Sequence, residues 1–115
     1  MFYNVQYMNK QNYDLLEILR TIFNKPNSTQ RDLAKNLNLS LGKVNYCLKA
    51  LKSKGFIKIN NFKNNPNKIH YAYILTPKGI KEKIKLTLNF MKRKFQEYEE
   101  LKSDLGDDYE KFIKK

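Results

Sequence analysis

Lys43, Asn45 and Tyr46 stand within four residues of one another in the segment Ser40-Leu41-Gly42-Lys43-Val44-Asn45-Tyr46. An ammonium, an amide and a phenol at this spacing, carried on a helix, can hydrogen-bond to planar donor and acceptor edges such as those of base pairs in a DNA major groove. Leu41 and Gly42 add an apolar contact and a position without a side chain, which lets the helix approach closely. The expected base-edge residues are therefore Leu41, Gly42, Lys43, Asn45 and Tyr46. Phosphate contacts are expected from Ser28, Thr29, Gln30 and Arg31, at the start of the preceding helix where free amides and the helix dipole favour an anion, and from Ser40 and Lys49.

No competing chemistry is visible. Gly42, Gly55, Gly79 and Gly106 are isolated, so no phosphate-cradling loop is formed, and the acidic residues of the tail alternate with Lys and Tyr in no ligand pattern. His70 is the only histidine and Cys47 the only cysteine, which excludes an internal disulfide and any multi-cysteine metal site. His70 reads as a structural or phosphate-facing strand residue, and Cys47 as part of the core. A binding protein without metal or cofactor is expected, not an enzyme.

The elements that must position these residues are readable from periodicity. Leu33, Ala34 and Leu37 share one face of a first helix, and Val44, Cys47, Leu48 and Leu51 repeat at i, i+3, i+4, i+7 in a second. Thr29 with Asp32 resembles a capping box, Ser40 suits an N-cap, and Gly55 suits the position just past a helix end. Together they make a helix-turn-helix over Thr29–Gly55. Upstream, Asn12 to Asn24 carries Leu15, Leu16, Ile18, Leu19, Ile22 and Phe23, the wide apolar face of a scaffold helix, closed by Lys25-Pro26-Asn27.

After Gly55 the period changes. FIKINNF and KIHYAYIL read as two strands around the polar tip Lys63-Asn64-Asn65-Pro66-Asn67-Lys68, a β-hairpin that would make the unit a winged helix. Thr76-Pro77 restarts a helix that can run to about Leu105. Along it Ile80, Ile84, Leu88, Met91, Phe95 and Tyr98 repeat on an alternating four-and-three spacing. A stripe this long exceeds what one small domain can cover, so it is expected to pair with the same stripe of a second copy, with help from the first helix; the alternative is that it folds back on its own winged helix. The fold class is thus mainly α with a β-hairpin (α+β), with a DNA-binding unit over 1–79 and a dimerisation element over 80–115 within one compact domain. The tail beyond Gly106 is frayed or forms a short extra turn.

Charge points the same way once its distribution is considered. The net charge of +12 is carried by twenty Lys and three Arg, a bias that an AT-rich genome would also produce. Residues 1–32 carry +1, residues 33–96 carry +14, and residues 97–115 carry −3. The positive charge therefore sits on the reading unit and the helix after it, where an electrostatic footprint on phosphates belongs. The N-terminal MFYNVQYMNKQNYD lacks the pattern of a secretory signal and no apolar run reaches the length of a membrane span, so a soluble cytoplasmic protein is expected. A membrane-surface role for the Lys-rich last helix is the weaker reading, because a dimer accounts for the same stripe.

Over most of residues 13–101 the chain resembles the MarR-type regulators associated with exopolysaccharide gene clusters. The matching stretches include Ser28-Thr29-Gln30-Arg31-Asp32-Leu33-Ala34, Leu39 to Tyr46, Lys49-Ala50-Leu51, Asn61-Phe62-Lys63, Asn67-Lys68, Tyr71-Ala72-Tyr73, Leu75 to Gly79, and Glu97-Tyr98-Glu99. The resemblance implies a bacterial winged-helix regulator acting on or near genes for surface polysaccharide synthesis. Wings of the wider superfamily often carry an Asp-x-Arg that sends Arg into the minor groove; the tip here has no Arg, which assigns Lys63 and Lys68 to phosphates. The chain is shorter than many ligand-sensing relatives, so no effector pocket is assigned. The reading that competes with a dimeric, operator-specific regulator is a winged-helix adaptor that docks onto a protein and touches nucleic acid non-specifically.

Overall fold

The computed structural model describes residues 10–61 and 68–113. Its elements in chain order are α1 (Lys10–Asn24), β1 (Ser28–Thr29), α2 (Gln30–Leu37), α3 (Leu41–Ser53), β2 (Ile57–Asn61), a 3-10 turn (Lys68–His70), β3 (Ala72–Leu75), α4 (Pro77–Leu105) and α5 (Asp108–Ile113). This is the mainly helical winged-helix architecture that the periodicity predicts, followed by the long helix and one short one.

The core forms where the periodic faces meet. Ile18, Leu19 and Ile22 of α1, Leu33 of α2, and Val44, Cys47, Leu48 and Leu51 of α3 are buried together with Ile57 and Tyr73 of the sheet. Burying such a side chain fully is worth about 1.5–3 kcal/mol, so these residues hold α2 and α3 against the scaffold helix from behind. The caps are those expected. Thr29 and Asp32 exchange side-chain-to-backbone bonds at the start of α2, and the Ser40 hydroxyl accepts from the Lys43 backbone N–H at 3.0 Å. Helix α2 stops at Asn38, whose left-handed backbone (φ 57°) turns the chain toward α3.

The hairpin differs from its expected form in three respects. The sheet has three strands in the order β1-β3-β2, all antiparallel, because Ser28 and Thr29 pair with Tyr73 and Ala72. Residues 68–70, expected to begin a strand, form a 3-10 turn, so His70 is an exposed turn residue and not a strand residue. Between Ile59 and Asn61 the β2–β3 register slips by a bulge, and the side-chain amide of the bulged Asn60 donates to Asn27 Oδ1 at 2.6 Å. The wing tip over 62–67, with Lys63, lies outside the described residues.

Helix α4 starts on a Thr76 N-cap with Pro77 in the first turn. Its first turn passes the chain just before β2 so closely that a Cβ at Gly79 would stand 1.9 Å from the Phe56 carbonyl oxygen. Further along, Lys83 Nζ lies 4.5 Å from the centre of the Phe23 ring, and the Tyr13 and Phe90 rings are 5.6 Å apart, tying α4 to α1. Among the described residues beyond Phe90, Arg93, Glu97 and, in α5, Tyr109 are half-buried and the rest are exposed. The tail forms the expected extra turn, α5, hydrogen-bonded through Tyr109 to the Tyr98 hydroxyl.

Candidate nucleic-acid interface

Helix α3 is divided sharply between its two sides. Val44, Cys47, Leu48 and Leu51 are buried, while Gly42, Tyr46 and Lys49 are exposed and Asn45 is half-buried. Leu41 is 37% and Tyr46 57% exposed. Asn45, Lys49 and Lys52 line a cleft whose other wall is Ile59 and Tyr71 of the wing. The two cations at the edge of this cleft, Lys49 and Lys52, both come from α3. Lys52 was not among the expected contacts, although its spacing from Asn45 and Lys49 (i+7, i+3) places it on their face.

Three of the expected contacts are positioned differently. Ser28 is buried and its hydroxyl donates to the Lys25 carbonyl at 2.6 Å. Gln30, 6% exposed, donates from Nε2 to the Leu41 carbonyl at 3.0 Å. Their side chains are engaged inside the protein and brace the helix-turn-helix; at the same edge Thr29 is half-buried, its hydroxyl accepting from the Asp32 N–H, and Arg31 is exposed. Lys43 leans back to the scaffold, its Nζ 3.7 Å from Oδ2 of Asp14 on α1, with the two side chains 35% and 5% exposed. Asp14 itself was missed. Its signal was a carboxylate one turn ahead of Ile18 on an otherwise apolar face, a position that requires a partner without revealing which.

Cys47 lies on the inward face of α3, fully buried. Burial pushes its thiol pKa up; Lys43 draws it back and Asp14 adds to the rise. Burial likewise raises the Tyr73 phenol, with Tyr71 contributing. A protonated, enclosed thiol is a poor nucleophile and serves as packing.

A second surface runs along α4. Ile80, Ile84, Leu88, Met91, Phe95 and Tyr98 are all exposed, from 37% at Ile80 to 64% at Phe95, and Ile84, Leu88, Met91 and Phe95 line one shallow apolar depression. Among the described residues there is no group of three or more His, Cys, Asp or Glu able to hold a metal ion, and no helix long and apolar enough to cross a membrane.

These features define a winged helix-turn-helix fold. A family profile described as winged helix-turn-helix DNA-binding matches residues 15–58, from within α1 to the start of β2. The whole fold is similar to that of MarR-type transcription regulators. Staphylococcus aureus MarR, solved in complex with salicylate and kanamycin, superposes with a TM-score of 0.62 at 23% identity, over 84% of this chain and 62% of that one. A structure described as MarR gives a TM-score of 0.61 at 25% identity, over 88% and 69%. A variant of Lactococcus lactis ZitR gives 0.59 at 21%, over 96% and 80%. The chain thus spans less than two thirds of the staphylococcal protein. No curated protein sequence matches it.

Proposed function

We propose that this chain is a sequence-specific DNA-binding transcription regulator of the MarR type, which binds a pseudo-palindromic operator as a homodimer. The observation that carries the reading is the division of α3: four core residues pin it from behind, and Leu41, Gly42, Lys43, Asn45, Tyr46 and Lys49 are left wholly or partly exposed beside a cleft edged by Lys49 and Lys52. Residues 1–79 form the reading unit, and the exposed stripe of residues 80–98 joins two copies so that their α3 helices face successive major grooves, about one turn (roughly 10 bp) apart. Thr29, Arg31, Ser40, Lys49, Lys52 and, on the wing, Lys63 and Lys68 hold phosphates and set the register without choosing sequence. The likeness of the Ser40–Tyr46 block to regulators of exopolysaccharide clusters supports genes of surface polysaccharide synthesis as the target, and a bacterial cytoplasm as the setting.

A mobility shift with the gene's own upstream duplex, in excess random competitor at physiological salt, tests this. A retained complex that weakens steeply with salt is expected. Loss of any retained complex would overturn the reading in favour of an adaptor that docks onto protein.

A further inference from the structure

Charge is not spread evenly along α4. Residues 77–96 carry seven cations against Glu82, whereas residues 97–105 carry four acids against Lys102. The sign changes at Lys94 and Glu97, which pair with each other within the helix at 3.7 Å. The exposed apolar stripe runs across this boundary and on to Leu101, which is 65% exposed. Beside it the exposed Lys85, Lys92 and Glu99 recur at every seventh residue, so they share one flank of the stripe.

A second copy can lie along this stripe in two directions, and charge and spacing separate them. Parallel helices, with axes about 8–10 Å apart, would set each cationic half beside its own copy, where like charges repel. Antiparallel helices set the cationic half of each against the acidic half of the other. The stripe also reads nearly the same in both directions from Met91: Leu88 and Phe95, Ile84 and Tyr98, and Ile80 and Leu101 lie at matching distances on either side of it, to within one residue. Centred there, the two Ile80 stand about 33 Å apart along an antiparallel pair. That is close to one helical turn of duplex, roughly 34–36 Å. Each reading unit is mounted on this first turn of α4, where Gly79 abuts Phe56.

On the basis of the pairing proposed above, we infer that the surface covering α4 is the α4 of a second copy running antiparallel, with Met91 at the two-fold axis and Lys85 of each helix within reach of the partner's Glu99. Direction and register thereby set the distance between the two reading units.

Spin labels on Ser103→Cys, in a Cys47→Ala background of the full chain, read the direction. Ser103 is exposed and lies twelve residues beyond Met91, so the labels should stand about 36 Å apart along an antiparallel pair and within about 20 Å in a parallel one. Sedimentation equilibrium of unlabelled charge variants reads the cause. Lys85→Glu and Glu99→Lys should each weaken the dimer by roughly threefold to tenfold, and Lys85→Glu/Glu99→Lys should restore it. A dimer whose labels stand within about 20 Å, or one that Lys85→Glu leaves unchanged or tightens, would overturn the antiparallel arrangement while leaving the dimer intact. A wild type that sediments as a monomer at every concentration would overturn both.

Discussion

The side-chain amide of Gln30 donates to the backbone carbonyl of Leu41 at 3.0 Å, so the first residue of α2 is bonded to the first residue of α3. They stand eleven positions apart in the chain, and the bond ties the start of α3 to the start of α2. Gln30→Ala removes it from a buried site. The expected cost is about 1 kcal/mol, seen as a lower urea midpoint, together with weaker discrimination between operator and random duplex. An unchanged midpoint would show that the bond contributes nothing to the packing of the two helices.

The glycines of α3 and α4 should respond to the same substitution in opposite directions. A Cβ at Gly79 would overlap the Phe56 carbonyl oxygen, whereas nothing lies within 4 Å of one at Gly42. Backbone overlap cannot be relieved by a rotamer change, so Gly79→Ala should cost about 3 kcal/mol or more. Gly42→Ala should instead stabilise the fold by up to about 1 kcal/mol through helix propensity, yet weaken DNA binding because the new methyl stands on the reading face. Thermal unfolding and a binding titration on each variant separate the two effects.

Leu88 stands in the exposed stripe of α4, in the same depression as Ile84, Met91 and Phe95. Leu88→Lys should leave thermal stability of the single chain nearly unchanged and convert a dimer to a monomer in sedimentation equilibrium. A wild type that already sediments as a monomer would refute the proposed pairing.

Cys47 supplies a pH dependence whose sign follows from burial. Its thiol pKa is raised in the folded state, so the folded chain keeps its proton where the unfolded chain, with a thiol near 8.5, has begun to lose it. Stability is therefore fully present below about pH 8.5 and falls as the pH rises from there toward the folded value. Cys47→Ala should lack this decline between about pH 8.5 and 10; above that range Tyr73, also raised by burial, adds a second loss of the same sign. A thiol reagent should modify Cys47 only at the rate of unfolding.

Features with a local pattern were legible in the sequence. The caps at Thr29, Ser40 and Thr76 and the buried repeat from Val44 to Leu51 each lie within one or two helical turns, so residue order alone displays them. What escaped depends on partners distant in the chain. Strand β1 has two residues, too few to alternate, and exists only because Tyr73 and Ala72 come alongside. Ser28 and Gln30 look like polar residues free for phosphate until the fold buries them. The ion pair of Lys43 with Asp14 at 3.7 Å joins residues 29 positions apart, a pairing that residue order does not display. Polar residues are versatile, and tertiary geometry selects the role that each one performs.

Among the described residues, ring contacts tie α4 to α1 as far as Tyr13 against Phe90, and short α5 braces its end. A helical stretch of about a dozen residues has little stability of its own in water. The backbone amides of Glu97–Leu105 should therefore exchange with solvent deuterium almost as freely in dilute solution as those of a fraying peptide, while those of Lys81–Phe90 remain protected. At concentrations where two copies meet, the outer amides should slow and the inner ones should not, so the distal half of α4 reports on the company the chain keeps.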